Sequence, residues 1–145
     1  MKWLINLIVS SMIFLPDKEF DLLPPALGLE YEDVYCTASD GVRISGWFFP
    51  VQSPKATLVF FHGNAGNISY RLEKAKGWID RGVSVFLIDY RGFGKSEGKI
   101  RKEADLYSDA EAALRWLREN KNILPPDILL HGESIGSGPA IELGC

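Results

Sequence analysis

The chain has 145 residues, with 16 Lys and Arg against 19 Asp and Glu and a formal net charge of -3. Hydrophobic residues make up 46% and aromatic residues 12%, which fits one ordinary folded domain and excludes a disordered or low-complexity chain. The weakly acidic balance lacks the basic stripe of a nucleic-acid binder, so no nucleic-acid partner is expected.

The first stretch with a reading of its own is 3–15, WLINLIVSSMIFL, in which ten of thirteen residues are apolar. A transmembrane helix needs about 20 predominantly apolar residues. A signal peptide needs a small-residue cleavage site, and no A-x-A pattern follows here. Three readings stay open: a membrane-associating helix, a clipped signal anchor, and an apolar arm docked on the domain. Localisation stays open with them, between membrane-associated and cytoplasmic. Pro16 and Pro24-Pro25 mark a connection. The chain thus divides into an N-terminal segment, 1–26, and a domain, 27–145.

From residue 30 onward the pattern alternates in type. Residues 31–38 (YEDVYCTA) read as a strand, and Asp40-Gly41 as a two-residue turn into a second strand at 42–50. Residues 56–61 (ATLVFF), 83–88 (VSVFLI) and 127–130 (DILL) are continuous apolar runs. Such runs suit strands buried on both faces of a parallel sheet. Between them, Ile68, Leu72, Ala75 and Ile79 keep one helix face, which Gly82 stops. Leu106, Ala110, Ala113, Leu114 and Leu117 do the same for a helix over 103–120, and Pro125-Pro126 breaks the chain after it. The order is β-β-β-α-β-α-β with a helix starting at the C-terminus. This predicts an α/β fold: a mostly parallel sheet with helices on both faces, entered through an antiparallel hairpin.

Cys36 and Cys145 are far apart and form no C-x-x-C pair, so they read as idle thiols rather than a disulfide framework or zinc site. The histidines, His62 and His131, are too few for most metal sites. Neither metal nor cofactor is expected.

Three motifs carry chemistry. Gly132-Glu133-Ser134-Ile135-Gly136 is a G-x-S-x-G between an apolar strand and a small-residue helix start, the context of a nucleophile elbow. A side chain at Gly132 or Gly136 would collide with neighbouring backbone. The turn lifts Ser134 Oγ towards substrate, with the helix dipole behind it. The bland alternative is an ordinary tight turn. The second motif, His62-Gly63-Asn64-Ala65-Gly66-Asn67, follows the third strand. In an elbow fold one oxyanion donor is the N–H after the serine, here Ile135, and the other comes from this loop. Asn64 N–H is the candidate, with Ala65 next, and His62 and Gly63 support the loop. The bland reading is a glycine-rich connection capped by Asn67. Asn67-Ile68-Ser69 also fits a glycosylation acceptor, discounted because a helix begins there. The third motif, residues 89–98 (DYRGFGKSEG), fails the phosphate-loop pattern because position 89 is Asp. It fails G-x-G-x-x-G because position 97 is Glu. It reads as a strand-end turn in which Asp89 and Arg91 buttress the site.

With these three motifs in this order, the chain resembles the α/β-hydrolase superfamily over residues 27–145. It is most similar to small, often membrane-linked serine hydrolases carrying HGNAGN, DYRG-x-GKSEG and G-x-S-x-G. The resemblance implies the N-terminal part of that fold, Ser134 as nucleophile, and an oxyanion hole from Asn64 and Ile135. It also implies a small-molecule or lipid-like acyl substrate: an ester, a thioester or a relative of these. One expectation of the family is unmet. The triad order is serine, acid, histidine, yet the residues after Ser134 include Glu142 as their one acid and no histidine. His62 and His131 precede the serine, as does Asp89. Two expectations follow: a C-terminally incomplete hydrolase, inactive in this form, or a non-catalytic binding or interaction protein with the same cleft.

Overall fold

The computed structural model describes residues 14–145. Of the apolar run at 3–15, residues 3–13 lie outside the described residues. No helix among the described residues is long and apolar enough to cross a membrane.

The centre is a five-stranded sheet. Its strands are β2 (Glu32–Thr37), β3 (Arg43–Phe49), β4 (Thr57–Phe61), β6 (Ser84–Ile88) and β7 (Ile128–Gly132), in the order β2-β3-β6-β4-β7. β2 and β3 pair antiparallel, as do β3 and β6, whereas β4 pairs parallel with both β6 and β7. Two short strands not anticipated above, β1 (Leu15–Pro16) and β5 (Ala65–Gly66), form a separate parallel pair.

The hairpin differs from its sequence reading. Its loop spans residues 39–41, with Ala38 N–H donating to the Val42 carbonyl at 2.9 Å. Gly41 takes φ 86°, the left-handed position that closes a three-residue turn.

Alternation explains the continuous apolar runs. Val59 and Phe61 of β4 and Phe86 and Ile88 of β6 enter one core. There they meet Leu106, Ala110, Ala113 and Leu117 of helix α2 (Glu103–Lys121). Leu58, Phe60, Val85 and Leu87 face the other way, with Ile68, Leu72 and Ala75. These come from a 3-10 turn (Ile68–Arg71) and helix α1 (Leu72–Ile79). Each fully buried large apolar side chain contributes about 1.5–3 kcal/mol. Both ends of α2 are set locally: Asp105 accepts from the Arg101 and Lys102 N–H groups, and Asn122 stops the helix at φ 53°. Gly82, at φ 83°, ends the α1 connection as expected.

β7 is the last strand described. It lies at the edge of the sheet and Leu129 is 45% exposed. The run 127–130 is therefore covered on one side only, and pairing with β4 carries the strand on to Gly132. Of the thiols, Cys36 is buried and Cys145 exposed. Burial pushes the Cys36 thiol up to about 12.

Candidate active site

Strands β4, β6 and β7 run parallel, and their carboxyl ends deliver the three motifs to one end of the sheet. In open α/β sheets ligands bind there.

At the end of β7 the backbone turns sharply. Glu133 N–H donates to the Phe61 carbonyl at 2.9 Å, fastening the turn to β4. Ser134 then adopts φ 52°. That left-handed conformation costs a residue with a side chain about 1–3 kcal/mol and persists only where the surroundings enforce it. The enforcement is visible in the two flanking glycines. A Cβ on Gly132 would lie 2.3 Å from the Gly136 carbonyl oxygen, and one on Gly136 would lie 2.1 Å from that of Phe61. Both collisions are with backbone, so neither position accepts a side chain. Ser134 itself is exposed. A 3-10 turn (Ser134–Gly136) leads into helix α3 (Ser137–Gly144).

The loop after β4 lies against this turn. A Cβ on Gly63 would stand 3.8 Å from Ser134 Cβ and 3.7 Å from the Glu133 carbonyl oxygen. The peptide units on both sides have fixed orientations. All described peptides are trans, so the C=O and N–H of one unit point in opposite directions. The Gly63 carbonyl is turned inward onto His62 Nδ1 at 2.7 Å, which aims the Asn64 N–H away from the core. The Ser134 carbonyl accepts from Ser137 N–H along the helix, which aims the Ile135 N–H back towards the start of the turn. Hence Ser134, Gly63, Gly132 and Gly136 meet directly, with Asn64 and Ile135 on the two segments beside the serine.

His62 is not available as a base. His62 is fully buried, and its Nε2 lies 2.9 Å from Asp89 Oδ1. A carbonyl only accepts, so Nδ1 carries a hydrogen for Gly63, and Nε2 shares a proton with Asp89. Asp89 Oδ1 also accepts from Ile68 N–H at 3.0 Å, while its buried Oδ2 has no hydrogen-bond partner among the described residues. Burial raises the Asp89 pKa, against the opposing pull of His62. Tyr90 Oη donates to the His62 carbonyl at 2.7 Å. His62 thus braces the loop from beneath. His131 packs its ring 4.6 Å from that of Phe60 and 6.5 Å from that of Trp78.

The third motif is absorbed into scaffolding. Arg91 donates to Asp109 and Asp40 and lies 3.5 Å from Asp105. Burial works against the Arg91 charge, but hydrogen bonds to Asp109 and Asp40 outweigh it and hold the pKa above its usual range. For Asp109 burial is the larger influence and raises its pKa, with Arg91 pulling it back. Ser96 Oγ donates to the Asp89 carbonyl and accepts from Ser45 N–H. Gly94 is packed onto Asp89, where a Cβ would sit 2.1 Å from Oδ2. Asn67 is also structural. It is fully buried, caps the 3-10 turn through Ser69 N–H, and donates to the Asp17 and Glu19 carbonyls.

Two contributors had no signal in the sequence. The first is segment 15–21, which straps the loop: Leu15 N–H donates to the Asn64 carbonyl and Asp17 N–H to that of Gly66. The second is Arg71, whose side chain crosses from the loop to Glu133. Both are long-range pairings that no local pattern encodes.

Comparison with known proteins agrees with this architecture. A sequence model of the family described as Serine aminopeptidase, S33 (Hydrolase_4) matches residues 52–145. The uncharacterized protein YfhR of Escherichia coli K12 is 37% identical over 117 residues, 77% of this chain and 41% of that protein. The α/β hydrolase domain-containing protein WAV2 of Arabidopsis thaliana is 39% identical over 136 residues, 88% of this chain and 44% of that protein. The chain therefore spans less than half the length of these relatives. Among solved structures, the Pyrococcus furiosus esterase Pf2001 is 27% identical with a TM-score of 0.75, over 88% of this chain and 52% of that one. With the elbow, the loop and the parallel strands in this arrangement, the chain belongs to the α/β-hydrolase family described as Serine aminopeptidase, S33.

Proposed function

We propose that this chain carries the nucleophile and oxyanion hole of a serine hydrolase acting on ester, thioester or related acyl substrates. In this reading Ser134 Oγ attacks the substrate carbonyl, and the Asn64 and Ile135 N–H groups stabilise the oxygen as it becomes negative. The leaving alcohol or thiol departs with a proton, and water then hydrolyses the acyl-enzyme. A general base takes the Ser134 proton, and His62, bonded to Gly63 and Asp89, is not that base. The observation that carries the proposal is Ser134 itself: an exposed hydroxyl held at φ 52° between two glycines that admit no side chain.

Fluorophosphonate labelling with the adduct mapped by mass spectrometry tests this. Without a triad histidine the reaction runs about 10⁶-fold below a complete site, so the 145-residue chain labels slowly. Added imidazole accelerates labelling, and Ser134→Ala abolishes it. Adduct at another residue, or labelling unchanged by Ser134→Ala, overturns the assignment. Thermal-shift binding of acyl ligands with no adduct under any condition supports instead a binding module built on the same cleft.

A further inference from the structure

Arg71 stands at the end of the 3-10 turn, immediately before α1. Its Nη1 donates to the Ala65 carbonyl at 2.8 Å and to the Asn67 carbonyl at 3.1 Å. Its Nε lies 3.7 Å from Glu133 Oε2, and both side chains are largely shielded, at 13% and 21% exposure. Lys74, on the next turn, also contacts Glu133. The guanidinium occupies a space that two glycines leave open. A Cβ on Gly63 would lie 3.6 Å from Nη2, and one on Gly66 would lie 3.3 Å from Nη1. Gly63 faces Ser134 Cβ on the same side. One planar, forked cation therefore fills the hollow of the loop, grips two of its carbonyls, and reaches the residue that precedes the serine.

We propose that Arg71 is a positioning residue that couples the two halves of the oxyanion hole by tying the Ala65 and Asn67 carbonyls to Glu133. This rests on the reading of Ser134, Asn64 and Ile135 given above. The two donors come from segments far apart in sequence, and a carbonyl oxygen must reach both. The loop carrying Asn64 is strapped by segment 15–21 and braced by His62, but neither contact reaches the turn that carries Ile135. The Arg71–Glu133 link fixes its distance from the turn carrying Ile135. Arg suits this role better than Lys, because the extended planar group lets Nη1 hold both carbonyls while Nε stays beside the carboxylate. The shielding of the pair makes the link stronger than an exposed ion pair.

The test is a double-mutant cycle on the 145-residue chain, using Arg71→Ala, Glu133→Ala and the double variant, with Arg71→Lys and Glu133→Gln as conservative controls. Imidazole-assisted fluorophosphonate labelling of Ser134 is resolved into probe affinity and maximal rate. Arg71→Ala lowers the maximal rate about 10²-fold, the scale of a 1 Å misplacement, with probe affinity little changed. Glu133→Ala acts in the same direction, and the double variant loses no more than the worse single. Arg71→Lys recovers part of the rate. In parallel, amide resonances of Asn64 and Ile135 shift and exchange faster with solvent in both single variants, while those of Val59 and Leu87 in the core do not. Additive losses, unchanged Asn64 and Ile135 amides, or faster exchange spread over the whole sheet would overturn the proposal. If Arg71→Ala fails to fold, Arg71→Lys and Glu133→Gln carry the same comparison. If Ser134 takes no label in the parent chain, the nucleophile reading fails, and the amide measurements still decide whether Arg71 couples the two segments.

Discussion

Two glycine-rich turns leave the carboxyl ends of parallel strands in this fold, residues 89–98 after β6 and 132–136 after β7. Each holds a serine among glycines, and each invites a functional reading. Ser96 is 3% exposed and spends its hydroxyl within the protein, donating to the Asp89 carbonyl at 2.7 Å and accepting from Ser45 N–H at 2.8 Å. Ser134 is exposed and sits in a strained backbone conformation. The charged groups of both turns are paired, Glu133 with Arg71 and Lys74 in the second. Arg91 is enclosed by Asp109, Asp40 and Asp105, and the turn it belongs to is scaffolding. The comparison teaches that glycine content does not mark a site. What marks it is whether the polar side chain has its hydrogen-bonding capacity consumed inside the fold.

The largest expected effect is on the scaffold side. Asp109→Ala strips Arg91 of its buried partner, and breaking such a pair costs about 3–5 kcal/mol. Chemical denaturation should show this loss, while the Ser134 labelling rate of the folded fraction stays near the parent value. A loss below about 1 kcal/mol, the scale of an exposed pair, would mean that the turn is not held as described.

Next comes the elbow. Gly136→Ala drives a methyl group into the Phe61 carbonyl, and overpacking of this kind costs about 1–3 kcal/mol. Labelling should fall together with stability, because the backbone that presents Ser134 is the part forced to move. A variant that is destabilised yet labels normally would separate the turn from the chemistry.

The two serines give the sharpest contrast, with stability changes of opposite sign. Ser96→Ala leaves the buried Ser45 N–H without its partner and costs about 1–3 kcal/mol, with no effect on labelling of folded protein. Ser134→Gly relieves left-handed strain of about 1–3 kcal/mol, offset by about 0.5–1 kcal/mol of added chain entropy, so stability holds or rises while labelling disappears. Equal stability changes in the two variants would erase the distinction drawn here.

Much of this was legible beforehand because it is local. The alternation of 56–61 and 83–88 required two covered faces, and both strands have them. Gly132 and Gly136 were read as positions closed to side chains, and a Cβ at either meets backbone oxygen. The Asn67 cap was also visible, since it depends on residue type at a loop end, whereas Arg91 bonds Asp109 and Asp40, 18 and 51 residues away, rather than local groups. The hairpin is equally instructive. The Asp40-Gly41 signal placed the hairpin correctly but missed its length, because a left-handed glycine serves three-residue loops as well as two-residue ones.

By itself, then, the sequence determined the five strands of the main sheet, the helices, the points at which only glycine fits and the identity of the exposed hydroxyl. These follow from steric rules acting over a few residues. Tertiary structure alone decided that His62 would be spent on Asp89, 27 residues away, that segment 15–21 would strap the loop, and that Arg71 would reach Glu133. Such pairings depend on the order of strands in the sheet, and that order is set by packing of the whole domain rather than by any neighbouring residues.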